Sequence, residues 1–471
     1  MKKNSKKVSK KQPQLVATPI NPLEAPCPRC GALPRMVCTH TETGEKLKKF
    51  HNARVTLAET AAAATSAVKH VIESKKPKVP EYKPTDEQAE VIETITDKFM
   101  AIHHREIQFV GPVVVGPVVS AYKFMLPKQV KLSAMEGMAA DFGMALGTDS
   151  IMVKRMPGDT AVSVWIPNKE RKYIQYRDTV TKVWQMVKSN EGNPGTMPIP
   201  LNFGVDHLGN QFIEDLTKTT HLLVAGSTGS GKSTLIRSIV ATLAYTMDPK
   251  MLKLVISDMK GIEFPRFAEL PHLLYPIATT WGDTVEAMEG LCEEVKRRKE
   301  ILRKSLVENL QKYNTIHKDN PLPYIVMVID ELANLTLYKG EKRSEAKLAE
   351  AKLQVITSEA RALGVYVIAG TQRPSVDVVK GLVKTNFPAR ISFRLPSALD
   401  SRTVIVSKGA EQLMAQGDML YYSPRQTGLI RLHAPMANDD DITMAVQAAK
   451  TMYPVEAPTK GGIQMPPSSI Q

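Results

Sequence analysis

The stretch HLLVAGSTGSGKSTLIRSIVATLAYTM, residues 221–247, constrains the fold more than any other part of the chain. An apolar strand runs straight into a glycine-rich loop, and a segment with helical periodicity follows. The loop from Gly226 to Ser233 is a full G-x-x-x-x-G-K-[ST]. Its glycines let backbone N–H groups crowd around phosphates, and the positive end of the following helix adds to the attraction. Lys232 is expected to reach the β- and γ-phosphates and Ser233 the magnesium ion. Gly226, Ser227, Thr228, Gly229, Ser230, Gly231 and Thr234 complete the expected nucleotide-binding loop.

Two further apolar runs end in acids. KLVISD ends at Asp258 and YIVMVIDE at Asp330-Glu331. A hydrophobic strand closing on two carboxylates is what the second half of such a site needs. Asp330 is placed to hold magnesium through water and Glu331 to polarise the attacking water. VYVIAGTQ ends in Thr371-Gln372, a polar tip from which Gln372 can sense the γ-phosphate. Strands and long helices alternate over residues 191–436, the pattern of a doubly wound parallel α/β sheet with crossover helices. The strand between loop and acid pair implies the additional-strand, RecA-like class of P-loop ATPases, which commonly act as rings. ATP and Mg2+ are the expected cofactors.

The chain has 471 residues, too long for one core, and 43% of them are hydrophobic, which suits globular folding. Residues 1–24 read as a basic disordered arm, 25–56 as a Cys/His module and 57–86 as a helix and linker. Residues 87–190 read as a small α+β domain ahead of the motor, and 437–471 as a C-terminal helix and tail. Net charge is +14, yet residues 1–80 hold 13 Lys and 3 Arg against 5 Glu. A basic arm suggests a polyanionic partner, nucleic acid first, or else a solubilising tail. The longest charge-free apolar stretch, IQFVGPVVVGPVVSAY, is too short for a membrane span and is broken by Pro112 and Pro117. It reads as strands and turns, so no membrane span is expected. MKKNSKKVSKK has no apolar segment behind it and is not a secretory signal. With only four cysteines, a reducing, cytoplasmic location is expected.

Residues 88–435 resemble the FtsK/SpoIIIE DNA translocases. The resemblance rests on PHLLYPIATT, VIDELANL, EARALGVYVIAGTQRPSVDVVKGLVKTNFPARISFRL, DSRTVI and GAEQLMAQGDMLY, with GPVVSAYKF, ALGTDSI and VWIPNKER matching the family's pre-motor domain. It implies a homo-hexameric motor that pumps double-stranded DNA through a central channel using ATP. Arg361 in EARALG matches the family's trans-acting finger, which brings a guanidinium to a neighbouring γ-phosphate. Arg373, Lys384 and Arg402 match positions that face DNA, and Ala398 stands where the family often has Lys. Lys339, Lys342 and Arg343 form a charged insertion that reads as a solvated loop. Neither the N-terminal spans of membrane-anchored relatives nor a C-terminal winged-helix reader is legible, so directionality is expected to come from elsewhere, or the motor has none of its own.

PCPRCGALPRMVCTHTETGEKLKKFHNAR holds Cys27, Cys30, Cys38, His40 and His51. Cys-x2-Cys makes one corner of a tetrahedral zinc site, and Cys38 with one histidine closes it. The segment resembles short zinc-binding modules of actinobacterial and phage proteins, which favours His51 over the cramped His40. Lys46, Lys48, Lys49 and Arg54 make it an expected auxiliary DNA-binding module that loads or orients the motor. Two rival readings stand beside the duplex translocase: a single-strand DNA helicase, and a DNA-binding ATPase switch that does not translocate.

Overall fold

The structure is a computed structural model that describes residues 82–454 apart from 156–158, 190–196, 338–343, 376–377 and 380. The basic arm, Cys27, Cys30, Cys38, His40, His51, Lys339, Lys342, Arg343 and the tail lie outside the described residues. Helix α1 (Asp86–His103) begins with a capping box in which Thr85 and Gln88 each accept the other's backbone N–H. Strands β1 (Gln108–Phe109), β2 (Val114–Val115) and β3 (Val119–Met125) follow. These three strands are the Pro-interrupted apolar run, as expected. Helices α2 (Leu132–Gly137) and α3 (Ala139–Leu146) lead to β4 (Met152–Arg155) and β5 (Val162–Pro167). The small sheet is antiparallel, in the order β1-β3-β5-β4, with β2 also on β3. Helix α1 packs on α3, and α2 on β4.

The motor follows through α4 (Tyr176–Ser189), β6 (Pro200–Asp206), β7 (Gln211–Asp215), α5 (Leu216–Thr219), β8 (Leu222–Ala225) and α6 (Lys232–Thr246). Next come β9 (Leu252–Ser257), α7 (Trp281–Lys304), α8 (Leu310–Ile316), β10 (Tyr324–Ile329), α9 (Leu332–Thr336), α10 (Ser344–Glu359) and β11 (Val365–Thr371). The last are α11 (Gly381–Asn386), β12 (Ala389–Phe393), α12 (Ala398–Ile405), β13 (Asp418–Tyr422), β14 (Ile430–His433) and α13 (Asp439–Met452).

These strands form one sheet in the order β7-β6-β14-β13-β12-β8-β11-β10-β9. Strands β12, β8, β11, β10 and β9 are parallel, and β13, β14, β6 and β7 add antiparallel. The all-parallel expectation thus holds only for the half of the sheet from β12 to the β9 edge. The added strands are joined by short turns, Ser423–Leu429 and His207–Asn210, and a short turn can only return the chain antiparallel. The parallel strands are mostly apolar and buried, as YIVMVI of β10 shows, because helices cover both faces; Lys253 of β9 and Arg390 of β12 are the charged exceptions. Right-handed crossovers assign the faces. The step from β8 to β9 runs one way along the sheet, and the steps β9 to β10 to β11 run the other. Helix α6 therefore lies on the face opposite α7 and α10.

Two boundaries read from the sequence change. Helix α4, placed before the motor, contributes Tyr176 and Val180 to the motor core. Helix α13, placed beyond it, packs on α6 through Ile442, Ala445, Val446 and Ala449. The two are tied by a 2.6 Å Arg177–Asp441 bond. An apolar helix face must be buried, and the α6 side of the sheet is the surface within reach.

The small sheet joins the motor through Trp165, Met152 and Ala121, which pack with Leu395, Val404, Leu413 and Leu420. At this junction Arg431 is buried. It donates to both oxygens of Asp418 at 2.9 and 2.7 Å and lies 5.5 Å from the Trp165 ring centroid. Burial alone would raise the Asp418 carboxyl, but the Arg431 charge and hydrogen bonds hold it below its ordinary value.

Three buried histidines are neutral in the folded chain. Burial brings His221, His272 and His433 each down to about 4 from the ordinary 6.5. In His221, Nδ1 accepts the Val367 N–H at 3.0 Å, so Nε2 carries the proton and donates to the Thr357 carbonyl at 3.1 Å. Unfolded histidine protonates near 6.5, so unfolding takes up protons between the two values. Stability is complete above that window and falls as pH drops through it. The expected loss is up to about 1.4 kcal/mol per histidine per pH unit. Urea midpoints compared at about pH 7.5 and about pH 5 check this; equal midpoints would contradict it.

Candidate nucleotide site

Five parallel strands bring their carboxyl ends to one edge of the sheet. The Gly226–Ser233 loop follows β8 there, Asp330-Glu331 follows β10, and Gln372 follows β11. The loop hangs on its two neighbours. Gly226 N–H donates to the Thr371 carbonyl and Ser227 N–H to the Arg394 carbonyl, both at 3.1 Å. Gly231, at φ +115°, caps α6, where a Cβ would sit 3.0 Å from the Gly417 nitrogen. That nitrogen donates to the Ser230 carbonyl at 3.0 Å, so the loop is also gripped from the β13 side. The Ser230 hydroxyl is buried with no hydrogen-bond partner among the described residues.

Lys232 is buried, and its Nζ donates to the Asp330 carbonyl at 2.8 Å and to Oδ1 at 2.9 Å. Strand β11 lies between the two parent strands, and Gly370 clears the path. A Cβ there would be 2.3 Å from the Asp330 carbonyl oxygen and 3.0 Å from Nζ. Glu331 is held on both oxygens. Oε1 accepts the Thr371 hydroxyl at 2.8 Å and the Ala333 N–H at 3.2 Å, and Oε2 accepts the Gln372 N–H at 2.8 Å. The Gln372 side chain accepts the Thr228 hydroxyl at 3.3 Å, linking the tip of β11 to the loop. Asp258 has a different task. It accepts the backbone N–H groups of Gly261, Glu263 and Phe264 and so organises the loop after β9.

A cleft of about 510 Å³ opens over the loop, lined by Ser233 and Thr234 and, on its far wall, by Tyr173, Gln416, Pro435 and Met436. Tyr173 donates its hydroxyl to Gln416 at 2.8 Å. This wall suits a nucleobase, and the size suits a nucleotide. Sequence reading missed all four residues. They come from three distant segments without a motif, and the one local signal is Gly417 in AQGD. The loop amides, the orphan Ser230 hydroxyl and the paired cation and carboxylates fit a nucleoside triphosphate with Mg2+. Ser233 and Asp330 would hold the ion, which would neutralise charge on the phosphates.

The other expected site residues separate into two edges. Arg373 is exposed after β11, with its N–H on the Thr371 hydroxyl at 3.2 Å, and Arg402 is exposed on α12 after β12; both lie beyond carboxyl ends. Lys384 is in α11, and its side chain lies outside the described residues. Arg361 precedes β11 at the amino edge. The strand's seven residues separate it from Thr371 by about 20 Å. Arg361 does not meet the Gly226–Ser233 loop of its own chain. Among the described residues no His/Cys/Asp/Glu group forms a metal cluster, and no helix is long and apolar enough to cross a membrane.

Glycine loop, acid pair and inserted strand define a P-loop ATPase of the additional-strand class. Residues 182–376 match the FtsK/SpoIIIE family and residues 46–168 the FtsK alpha domain. With both domains, the chain belongs to the FtsK/SpoIIIE family. Residues 12–69 match a putative DNA-binding phage zinc finger domain. A DNA translocase FtsK of Helicobacter pylori J99 is 38% identical over 345 residues, 72% of this chain and 39% of that protein. One from Pseudomonas syringae pv. tomato is 34% identical over 361 residues, 71% of this chain and 43% of that protein. The chain thus spans about two fifths of the length of these relatives. The pCW3 conjugation coupling protein TcpA, solved as a monomer with ATPγS, shares the fold. Its TM-score is 0.54 at 21% identity, covering 77% of this chain and 99% of that one.

Replacing Gly370 by Ala should push Lys232 and Asp330 apart and lower ATP hydrolysis by about 100-fold, since displacement by about 1 Å costs that much. Steady-state phosphate release checks this, with circular dichroism confirming the fold. Undiminished hydrolysis would show that β11 yields freely at this point.

Proposed function

We propose that the chain is an ATP-driven, double-stranded DNA translocase working as a homo-hexameric ring in the cytoplasm. The observation that carries this reading is the separation of Arg361 from its own glycine loop by the full length of β11. A guanidinium at the amino edge serves hydrolysis when it reaches the carboxyl-edge cleft of another copy, and a closed ring gives every copy such a neighbour. The 34–38% identity to DNA translocases supports DNA as the substrate.

In this reading Lys232 exchanges its Asp330 partners for phosphate oxygens, and Glu331 orients the attacking water. Gln372 reports the γ-phosphate, and Arg361 of the adjacent copy stabilises charge in the transition state. Arg373, Lys384 and Arg402 contact the DNA backbone, which makes binding salt-sensitive and indifferent to sequence. Cys27, Cys30, Cys38 and His51 hold zinc in a front module that loads DNA, in keeping with the match over residues 12–69.

ATP hydrolysis should rise with long duplex DNA, and the Glu331→Gln chain should bind ATP with hydrolysis reduced by at least about 100-fold. Displacement of a triplex-forming oligonucleotide without strand separation is the decisive assay. Stimulation by single strands alone would favour a helicase, and hydrolysis without displacement a switch. Deleting residues 1–60 should lower DNA loading and remove the bound zinc while leaving ATP hydrolysis in place. Unchanged loading would exclude the front module from that role.

A further inference from the structure

Arg361 is carried on a turn, residues 360–364, between α10 and β11. Three successive carbonyls of this turn are hydrogen-bonded. That of Arg361 accepts the Tyr366 hydroxyl at 3.3 Å and the Gly364 N–H at 3.4 Å. That of Ala362 accepts the Leu310 N–H at 2.8 Å, and that of Leu363 accepts Arg298 Nη1 at 2.8 Å. The Arg361 side chain is exposed and enters no ion pair among the described residues. The backbone is therefore fastened while the guanidinium is left for something outside the chain.

The Arg298 bond stands out because of where it comes from. Helix α7 buries a stripe of Val285, Met288, Leu291, Cys292, Val295 and Leu302. Arg298 occupies the next position of that stripe and is 1% exposed. A Leu there would fill the core without the desolvation cost of a cation. Glu294, one turn earlier and 2% exposed, accepts Arg298 Nε at 2.7 Å, and it also accepts Arg297 at 2.6 and 2.8 Å. So the guanidinium is neutralised and aimed on one side, and its other side ends on the Leu363 carbonyl.

We propose that the buried Glu294–Arg298 pair is a positioning device for Arg361, fixing the turn from inside the core so that the guanidinium is presented at the amino edge to a second copy of the chain. This rests on the trans role of Arg361 proposed above. The ATP cleft lies at the opposite edge of the sheet, so the pair acts on turnover and not on nucleotide binding.

The test uses the full chain at saturating duplex DNA and compares Arg361→Ala, the double variant Glu294→Leu/Arg298→Met, and all three changes together. The double variant keeps side-chain bulk and leaves no charge inside the core, and Arg297, released from Glu294, is 29% exposed and can be solvated. Arg361→Ala should lower kcat by about 1,000-fold. The double variant should lower it at least about tenfold with the Kd for a fluorescent ATP analogue unchanged, and the triple variant should be no slower than Arg361→Ala alone. Arg298→Lys, which keeps the charge but lacks the rigid fork that aims Nε at Glu294 and Nη1 at the Leu363 carbonyl, should behave like the double variant and guards against a folding defect. Full kcat in the double variant beside a slow Arg361→Ala would overturn the positioning role alone, as would losses that multiply in the triple variant. Full kcat in Arg361→Ala would overturn the finger reading and the positioning role with it.

Discussion

The contact between Lys232 and Asp330 sets the terms for the rest of the motor. In this sheet the glycine loop and the acid pair belong to strands that are not neighbours, because β11 runs between them. Strands lie about 4.8 Å apart, so the lysine must cross a gap of nearly 10 Å over an intervening backbone. It does so at Gly370, the one point of β11 where a side chain would collide with both Nζ and the Asp330 carbonyl. An apolar strand broken by one buried glycine is poor sheet chemistry, and here that weakness is the passage through which the two halves of the site meet.

The same inserted strand organises Glu331. A carboxylate buried at the end of an apolar strand needs donors, and β11 supplies them from its own tip: the Thr371 hydroxyl and the Gln372 amide. Arg373, the next residue, leans its amide on the Thr371 hydroxyl. One tripeptide therefore holds Glu331, touches the loop through Thr228, and leads directly to a proposed DNA contact. Movement of Arg373 on DNA would disturb the bonds that hold Glu331, so the chemistry and the proposed load share a few atoms.

Much of this was legible in the sequence. The loop, the acid pair, the polar tip of β11 and the small α+β domain each have a local signature: a motif, an apolar run with charged ends, or prolines punctuating short strands. What escaped is what depends on distant segments meeting. Tyr173, Gln416, Pro435 and Met436 form one wall only because the β13–β14 hairpin folds back beside the loop. The antiparallel half of the sheet was hidden because β6, β13 and β14 are buried almost throughout, like the parallel strands, and lack the polar alternation of a half-exposed strand. Helices α4 and α13 were assigned outside the motor because an amphipathic pattern shows that a helix is covered, not by what. Arg298 could not have been found, since on a helix as charged as α7 an arginine reads as solvated.

The junction between the small sheet and the motor shows why these parts form one working unit. Arg431 lies against Trp165 of the small sheet and is locked to Asp418, and Asp418 also accepts the Met414 N–H at 2.9 Å. The Met414–Asp418 segment thus begins and ends on one carboxylate, and Gly417 within it is bonded to the Ser230 carbonyl of the glycine loop. A buried ion pair of this kind adds little net stability, because desolvation offsets most of the attraction. Its value is geometric: a bidentate bond allows one orientation, and that orientation sets the segment over the nucleotide cleft. A shift of the small sheet, carrying Trp165 with it, would strain the Arg431–Asp418 bond, and through Gly417 the strain would reach the glycine loop.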